Sequence, residues 1–229
     1  MKTIKELIPR SLKSAAKAAL RPYWLRRAVN AISRLEAGEL PTRDMLQTLR
    51  DGWGNFEFAA KIDYLEEVAR NAVTTEGPIL ECGSGATTLL LGMLAGRRGV
   101  AVRSLEHSPE WQQRIGAILA RHRITNVEVL CSPLRDYGDF TWYDPPLEKL
   151  PDRFRLVVCD GPPGSTKGGR YGLMPIFEAR LPEGAVILLD DADRPGEAEI
   201  VDQWRKRIGL TVEVFNRPAG HFAVLVKRS

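Results

Sequence analysis

The chain has 229 residues, of which 44% are hydrophobic and 27% are charged, a composition typical of a soluble globular protein with one sizeable core. No apolar run approaches the roughly 18 residues that a membrane-spanning helix needs. Residues 1–20 also lack the continuous apolar stretch of a secretory signal. These features argue against an integral membrane or secreted protein and predict a cytoplasmic location.

The net charge of +4 is unevenly distributed. Residues 1–34 contain nine Lys or Arg and a single acid, Glu6, whereas the rest of the chain has 24 basic and 28 acidic residues. Three roles are open for this basic leader: a helix docked on the body, an arm over the active site or a partner protomer, or a helix on a membrane surface. The slightly acidic body argues against a nucleic-acid substrate, because binding phosphates usually needs a basic groove.

The three cysteines are Cys82, Cys131 and Cys159, all in or beside apolar, strand-like runs. Their number is odd, and no pair has the spacing of metal ligands. The sequence therefore predicts buried free thiols in a reducing compartment.

In chain order, the hydrophobic periodicity first predicts one or two helices over residues 3–36, with Pro22 as a break or a start. Gly38 and Pro41 mark a linker. A further helix is predicted over residues 55–73.

From residue 78, short apolar runs alternate with helical segments. The predicted strands cover residues 78–84, 100–106, 127–132, 154–160, 185–191, 210–215 and 222–227. The predicted helices cover residues 87–95, 110–122, 173–180 and 196–208, and a Pro-rich loop covers 134–153. This alternation predicts an α/β fold with a mostly parallel seven-stranded sheet and helices on both faces. The short connection 216–220 is hairpin-like, so the last strand should be antiparallel.

The most specific motif directly follows the first of these strands. The strand runs into Glu81, and Gly83, Ser84 and Gly85 come before the next helix. Glycines let the backbone pass close to a ligand, and a helix N-terminus offers unpaired amide donors. A dinucleotide site would have a third glycine near position 88, where this chain has Thr88.

The E-x-G-x-G arrangement resembles motif I of the class I S-adenosylmethionine-dependent methyltransferases. The seven predicted strands with a reversed last strand resemble the Rossmann-like fold of that family. The resemblance covers roughly residues 53–229, which we assign to the catalytic domain, with residues 1–52 as a basic helical extension. It implies a cofactor-binding role for residues Glu81, Gly83, Ser84 and Gly85.

Two further strand ends are expected to contact the cofactor. Glu106 ends the second strand, where an acid can accept hydrogen bonds from both ribose hydroxyls of an adenosine cofactor. Nicotinamide-dependent dehydrogenases use the same device. In the methyltransferase family the third strand often contacts adenine through an Asp, and this chain has Ser132 at that position.

Three aspartates follow the fourth and fifth strands: Asp160, Asp190 and Asp191. This arrangement resembles the magnesium-dependent small-molecule O-methyltransferases, such as the catechol and macrolide-sugar enzymes. It implies that the three acids bind Mg²⁺ and that Asp160 also contacts the cofactor and takes part in catalysis. Neighbouring strand residues point to opposite faces, so Asp190 and Asp191 converge only if the strand has already turned. The alternative is that the acids cap a helix or hold loops.

Methyl transfer to a hydroxyl requires removal of the acceptor proton. Lys167 and His221 are the candidate bases, and Lys167 is preferred because catechol-type enzymes have a Lys soon after the strand-four Asp. Here the lysine lies seven residues after Asp160, which is further than in that pattern.

The sequence thus predicts transfer of a methyl group from S-adenosylmethionine to an oxygen of a small molecule or sugar. Displacement would be in line, with catalysis arising mostly from holding the acceptor oxygen near the methyl group. The alternatives are a nicotinamide-dependent oxidoreductase, a catalytically inactive binding module with the same fold, and a nucleic-acid methyltransferase.

Overall fold

The computed structural model describes residues 10–55 and 58–228, with side chains from residue 17 onward. Three helices precede the first strand: α1 (Arg10–Ile32), α2 (Arg43–Trp53) and α3 (Ile62–Thr74). The part of the predicted leader helix before residue 10 lies outside the described residues. Within the described ranges, no helix is both long enough and apolar enough to cross a membrane.

Helix α1 is continuous, and Pro22 lies in its interior without breaking or starting it. Proline removes only one backbone donor from a helix, and the helix is held by packing along one face. Val29 and Ile32 on that face are buried, whereas Arg26 and Arg27 are exposed. The described part of the leader is therefore docked on the body, with Arg26 and Arg27 on its outer face.

Helix α2 follows the linker that Gly38 and Pro41 mark, in a stretch for which the sequence predicts no separate helix. Its ends are well defined: the Thr42 side chain accepts a hydrogen bond from the Met45 amide (3.3 Å), and Gly54 ends the helix with φ of +78°. Leu46 and Leu49 are fully buried. The apolar residues Leu46, Leu49 and Trp53 recur at helical spacing, so they form one buried face, which packs against α1 and the body.

Helices α1 and α2 share one hydrophobic core with the α/β domain, since Ile32 and Leu49 belong to the same buried cluster as Leu65 and Leu90. We expect Ile32→Ala to lower the free energy of unfolding by about 2–5 kcal/mol in a single transition, because it leaves a cavity in that core. Urea denaturation measures this, with the exposed Asn30→Ala on the same helix as control. A separate early transition of the leader would show instead that it is an independent unit.

The main sheet has seven strands in the order β3-β2-β1-β6-β7-β9-β8. Their bounds are β1 (Ile79–Cys82), β2 (Val102–Glu106), β3 (Val127–Cys131), β6 (Leu156–Cys159), β7 (Val186–Asp190), β8 (Leu210–Arg217) and β9 (Gly220–Lys227). β9 pairs antiparallel with both β7 and β8, and the other pairings are parallel. The predicted sheet with a reversed last strand is confirmed.

Helices cover both faces of the sheet, as predicted. The later helices are α4 (Ala86–Gly96), α5 (Pro109–Arg121), α6 (Leu173–Phe177) and α7 (Pro195–Arg207). Alternate residues of one strand enter different cores: Leu156 and Val158 of β6 pack with α1–α5, whereas Val157 and Cys159 pack with α6 and α7. The nearly uninterrupted apolar strands follow from burial on both sides.

Two further details of the structure differ from what the sequence predicts. The stretch predicted as a Pro-rich loop contains a hairpin of β4 (Leu134–Asp136) and β5 (Thr141–Tyr143), with Trp142 buried. The three cysteines are free, as predicted, but only Cys82 and Cys159 are buried. Cys131 is exposed because β3 is an edge strand of the sheet.

Candidate active site

The carboxyl ends of the central strands open onto a cavity of about 960 Å³. Such a crevice is where open α/β sheets bind their ligands. The loops after β1, β2, β6 and β7 supply much of its wall, including Gly83, Ser84, Gly85, Glu106, His107, Asp160, Arg170, Asp190 and Asp191. Most of the sequence-predicted site residues therefore converge on one place, and three of them, considered below, do not line it.

The two glycines after β1 have different physical roles. Gly83 has φ of +92°, and a Cβ there would lie 3.0 Å from the Gly161 amide nitrogen and 3.2 Å from the Gly161 Cα. Gly83 thus lets the loops after β1 and β6 meet. Gly85 has an extended φ of −175° and lines the cavity, and a Cβ there would meet no atom within 4 Å. Its missing side chain leaves space for a ligand.

Glu81 lies behind this loop and is not among the residues that line the cavity. It is fully buried, and its Oε2 accepts hydrogen bonds from Thr88 Oγ1 (2.6 Å) and Ser104 Oγ (2.5 Å). Thr88 Oγ1 in turn accepts from the Gly85 amide at 2.8 Å. Glu81 therefore stabilises the loop after β1 from the protein interior, through Thr88. The Thr88 hydroxyl forms these hydrogen bonds at the position where a dinucleotide site would have a glycine.

Burial raises the pKa of Glu81 from 4.5 to about 7. An acid with a raised folded-state pKa stabilises the fold most below its unfolded pKa, and this contribution is lost as the pH rises through about 7. We expect Glu81→Gln to remove this loss. Between pH 5 and pH 8 the wild type should lose about 1–3 kcal/mol more unfolding free energy than the variant, as measured by urea denaturation. If the difference in unfolding free energy between the wild type and Glu81→Gln were the same at pH 5 and at pH 8, the raised pKa of Glu81 would be contradicted.

Glu106, the last residue of β2, lines the cavity, and its carboxylate is held by several hydrogen bonds. Its Oε2 accepts from the Ser84 amide (3.2 Å) and Ser84 Oγ (2.6 Å), and its Oε1 accepts from the Ser108 amide (2.9 Å). Trp111 Nε1 donates to the Ser84 carbonyl (2.9 Å), and its ring meets Trp53 edge-on at 5.8 Å. The Glu106 carboxylate can accept hydrogen bonds from hydroxyls, and the indole rings of Trp53 and Trp111 can pack against an aromatic base.

Ser132 and Lys167 are the other two predicted site residues outside the cavity lining. Ser132 is fully buried, and its backbone amide donates to the Glu106 carbonyl at 2.7 Å. The Lys167 ammonium donates to the Gly138 carbonyl of the β4–β5 hairpin and lies 3.8 Å from the Asp136 carboxylate. Among the described residues, the partners of Lys167 thus lie on the hairpin, and none of them is Asp160, Asp190 or Asp191.

The three aspartates do converge. Each has a carboxylate oxygen within 4.8 Å of those of the other two. β7 ends at Asp190, and Asp191 then has φ of +54°, a left-handed turn that brings its side chain back to the same side. Burial raises the pKa of Asp160 to about 7 and raises that of Asp190 well above its usual range.

The acids converge on a side chain that the sequence analysis did not single out. The guanidinium of Arg170 is 2% exposed, and its Nη2 donates to Asp160 Oδ1 (3.2 Å) and Asp191 Oδ2 (3.1 Å). Arg194 also contacts Asp191 Oδ2, at 3.0 Å. One arginine in a glycine-rich loop ten residues after Asp160 carries no specific sequence signal, so only the fold places it here.

This arrangement bears on the predicted magnesium site. The carboxylate oxygens are of the type that Mg²⁺ prefers, but the cation needs them at about 2.0–2.1 Å and keeps several waters. Here Arg170 Nη2 is hydrogen-bonded to the carboxylates of Asp160 and Asp191, and Asp191 Oδ2 lies 3.0–3.1 Å from nitrogens of two guanidinium groups. The donor set with Arg170 in place does not fit a bound Mg²⁺.

Comparison with known proteins identifies the fold. No protein-family model and no curated protein sequence matches the chain. Among solved structures, a methyltransferase of Podospora anserina bound to S-adenosylhomocysteine aligns with a TM-score of 0.60 and 13% identity over 97% of this chain and 99% of its own. An O-methyltransferase of Thermotoga maritima aligns with a TM-score of 0.58 and 14% identity over 79% and 71% of the two chains. A precorrin-6y C5,15-methyltransferase of Geobacter metallireducens aligns with a TM-score of 0.54 and 16% identity over 76% and 95%. The chain is similar to these proteins in fold, which is that of the S-adenosylmethionine-dependent methyltransferases.

Proposed function

We propose that this protein transfers a methyl group from S-adenosylmethionine to an oxygen atom of a small molecule or sugar. The observation that carries the proposal is that one cavity is lined by two separately hydrogen-bonded groups of side chains. Glu106, Gly85 and Trp111 belong to the group that suits an adenosine cofactor, which we call the cofactor end, and Asp160 and Asp191 belong to the group that suits a hydroxylated acceptor, which we call the acceptor end. Both groups line the crevice of a methyltransferase fold.

The cofactor end has groups that fit each part of the ligand. The Glu106 carboxylate currently accepts from Ser84 Oγ at 2.6 Å, and ribose hydroxyls are equivalent donors. Gly85 leaves open space beside the N-terminus of α4, where backbone amides meet polar ligand groups. Trp53 and Trp111 offer apolar surface for the adenine. When bound, the cofactor supplies an electrophilic methyl group on its sulfonium.

The acceptor end supplies orientation and a proton acceptor. Asp160 and Asp191 keep 20% and 15% of their side chains exposed, so both carboxylates can accept a hydrogen bond from an acceptor hydroxyl. A pKa of about 7 lets Asp160 take up the hydroxyl proton near neutral pH. Fixing the acceptor oxygen on the line of attack provides most of the rate enhancement. Lys167 has no role in this mechanism, and neither does a bound Mg²⁺.

A nicotinamide-dependent oxidoreductase fits less well. A third glycine would be needed near position 88, and the Thr88 side chain there is buried and hydrogen-bonded to Glu81 and Gly85. The reversed strand β9 is also a feature of the methyltransferase fold.

Calorimetric titration of metal-stripped protein with S-adenosylmethionine is the deciding experiment, with NADH as control. We expect micromolar binding of S-adenosylmethionine and no heat with NADH. No heat from S-adenosylmethionine in folded protein would overturn the proposal. Formation of S-adenosylhomocysteine with a panel of hydroxylated small molecules and sugars then tests turnover. Binding without turnover on any acceptor would favour an inactive binding module.

The basic leader keeps two proposed partners, an anionic membrane surface or a second protomer of a cytoplasmic enzyme. Arg26 and Arg27 on α1 and Arg34 just after it are exposed, as are Arg114 and Arg121 on the neighbouring α5. Sedimentation with phosphatidylglycerol vesicles, with phosphatidylcholine vesicles as control, tests the first partner. Analytical ultracentrifugation tests the second.

A further inference from the structure

A single buried cation joins the ends of β6 and β7. Arg170 donates from Nη2 to the Asp160 carbonyl (2.9 Å) as well as to the Asp160 and Asp191 carboxylates, and from Nη1 to the Asp190 carbonyl. Nη1 also lies 3.9 Å from Glu197 Oε1 of α7. One guanidinium thus connects the carboxyl ends of β6 and β7 and also faces α7.

The charges of the cluster show what this cation does. Asp160, Asp191 and Glu197 are within 4 Å of Arg170, and the buried Asp190 is next to them. Bringing carboxylates together out of water is costly unless a cation or protons compensate them. In metal-dependent sites a divalent ion supplies that compensation. Here a side chain of the protein supplies it.

The geometry of the guanidinium also restricts what else can bind. Nη2 is hydrogen-bonded to the carboxylates of Asp160 and Asp191, so an ion placed between these two carboxylates would lie against a fixed positive charge. Repulsion between like charges is strong in a buried site, where little water screens it. Arg194 adds a second positive charge at Asp191.

We propose that Arg170 is the built-in cation of this site: it positions the Asp160 and Asp191 carboxylates toward the cavity and excludes divalent metal ions. Methyl transfer would then need no metal, a consequence that rests on the proposed function. The exclusion of metal does not rest on it. Arg170 is in this sense a positioning residue.

Mn²⁺ binding tests the proposal directly, and it is measured as the decrease in the electron paramagnetic resonance signal of unbound Mn²⁺. The wild type should not bind Mn²⁺ at the cluster. Arg170→Ala should acquire a site at least roughly 100-fold tighter, because three carboxylates lose their internal cation. The double variant Arg170→Ala with Asp191→Asn should lose most of that affinity. Arg170→Lys keeps the charge and should still exclude the ion, which separates charge from side-chain shape.

The outcomes are distinct. Stoichiometric Mn²⁺ binding to the wild type that disappears in Asp191→Asn would overturn the proposal, as would equally weak binding to the wild type and to folded Arg170→Ala. Should Arg170→Ala fail to fold, the wild type and Arg170→Lys still decide, since Mn²⁺ at the cluster of either one contradicts exclusion. Titration of the same samples with S-adenosylmethionine keeps this result separate from the proposed function, whose failure would show as missing cofactor heat with Mn²⁺ exclusion intact.

Discussion

Gly85→Val is expected to weaken S-adenosylmethionine binding by roughly 100-fold or more, because its side chain would fill the space beside the N-terminus of α4 that the ligand needs. The folded protein itself should tolerate the change. A Cβ at Gly85 meets no protein atom within 4 Å, and φ of −175° is extended backbone that other residues adopt. Calorimetric titration measures the dissociation constant, and thermal unfolding measures stability.

Gly116→Val is the matched control. Gly116 lies in α5, outside the cavity lining, and a Cβ there also meets no atom within 4 Å. The control should bind the cofactor as the wild type does. If Gly85→Val also binds as tightly as the wild type, the ligand does not occupy the space beside this loop.

Glu106→Ala should weaken S-adenosylmethionine binding by about 10- to 100-fold, because hydrogen bonds to a charged carboxylate contribute about 1.5–3 kcal/mol. The carboxylate is 4% exposed and is held by the Ser84 and Ser108 amides, so it is already oriented before any ligand arrives. Glu106→Gln keeps an acceptor oxygen, and we expect an intermediate affinity.

Glu110→Ala controls for the change in net charge, because Glu110 is exposed on the first turn of α5 and is not part of the cavity lining. Its affinity should equal that of the wild type. Equal loss in both variants would mean that overall charge, and not a contact from Glu106, governs cofactor binding. The melting temperature of Glu106→Ala shows whether the loop after β1 remains folded.

The order of the elements, and the residues after β1 and at the end of β2 that line the cavity, could be predicted from the sequence. Strands that are buried on both faces appear as short apolar runs, and a helix between them repeats its apolar positions with its own period. The glycines at 83 and 85 lie in the loop after such a strand and the acid at 106 ends another, and the carboxyl ends of parallel strands meet at one edge of a sheet. These predictions needed only local chain features and the direction of the strands.

The direction of individual side chains could not be predicted in the same way. Glu81 faces Thr88 and Ser104 inside the protein, while Glu106 faces the cavity, although both end or nearly end a strand. Glu81 is paired with Ser104, and Glu106 comes two residues after Ser104, so both acids lie on the same face of the sheet. Their positions along the strands separate them, because Glu81 is covered by Thr88 of α4 whereas Glu106 is the last residue of β2, at the edge that opens onto the cavity. The convergence of Asp190 with Asp191 likewise depends on a single left-handed residue after β7.

Only the tertiary structure decided the composition of the acceptor end. Arg170 is ten residues from Asp160 and about twenty from Asp191, in a loop with no regular pattern, and Lys167 in the same loop contacts the β4–β5 hairpin instead. Helix α2, which brings Trp53 to Trp111, is likewise stabilised by packing against α1 and the body. Local sequence specifies the elements because their periodicity is a property of the chain itself. Contacts between loops depend on the relative placement of all the elements, so the charge that balances the three aspartates became visible only in the folded protein.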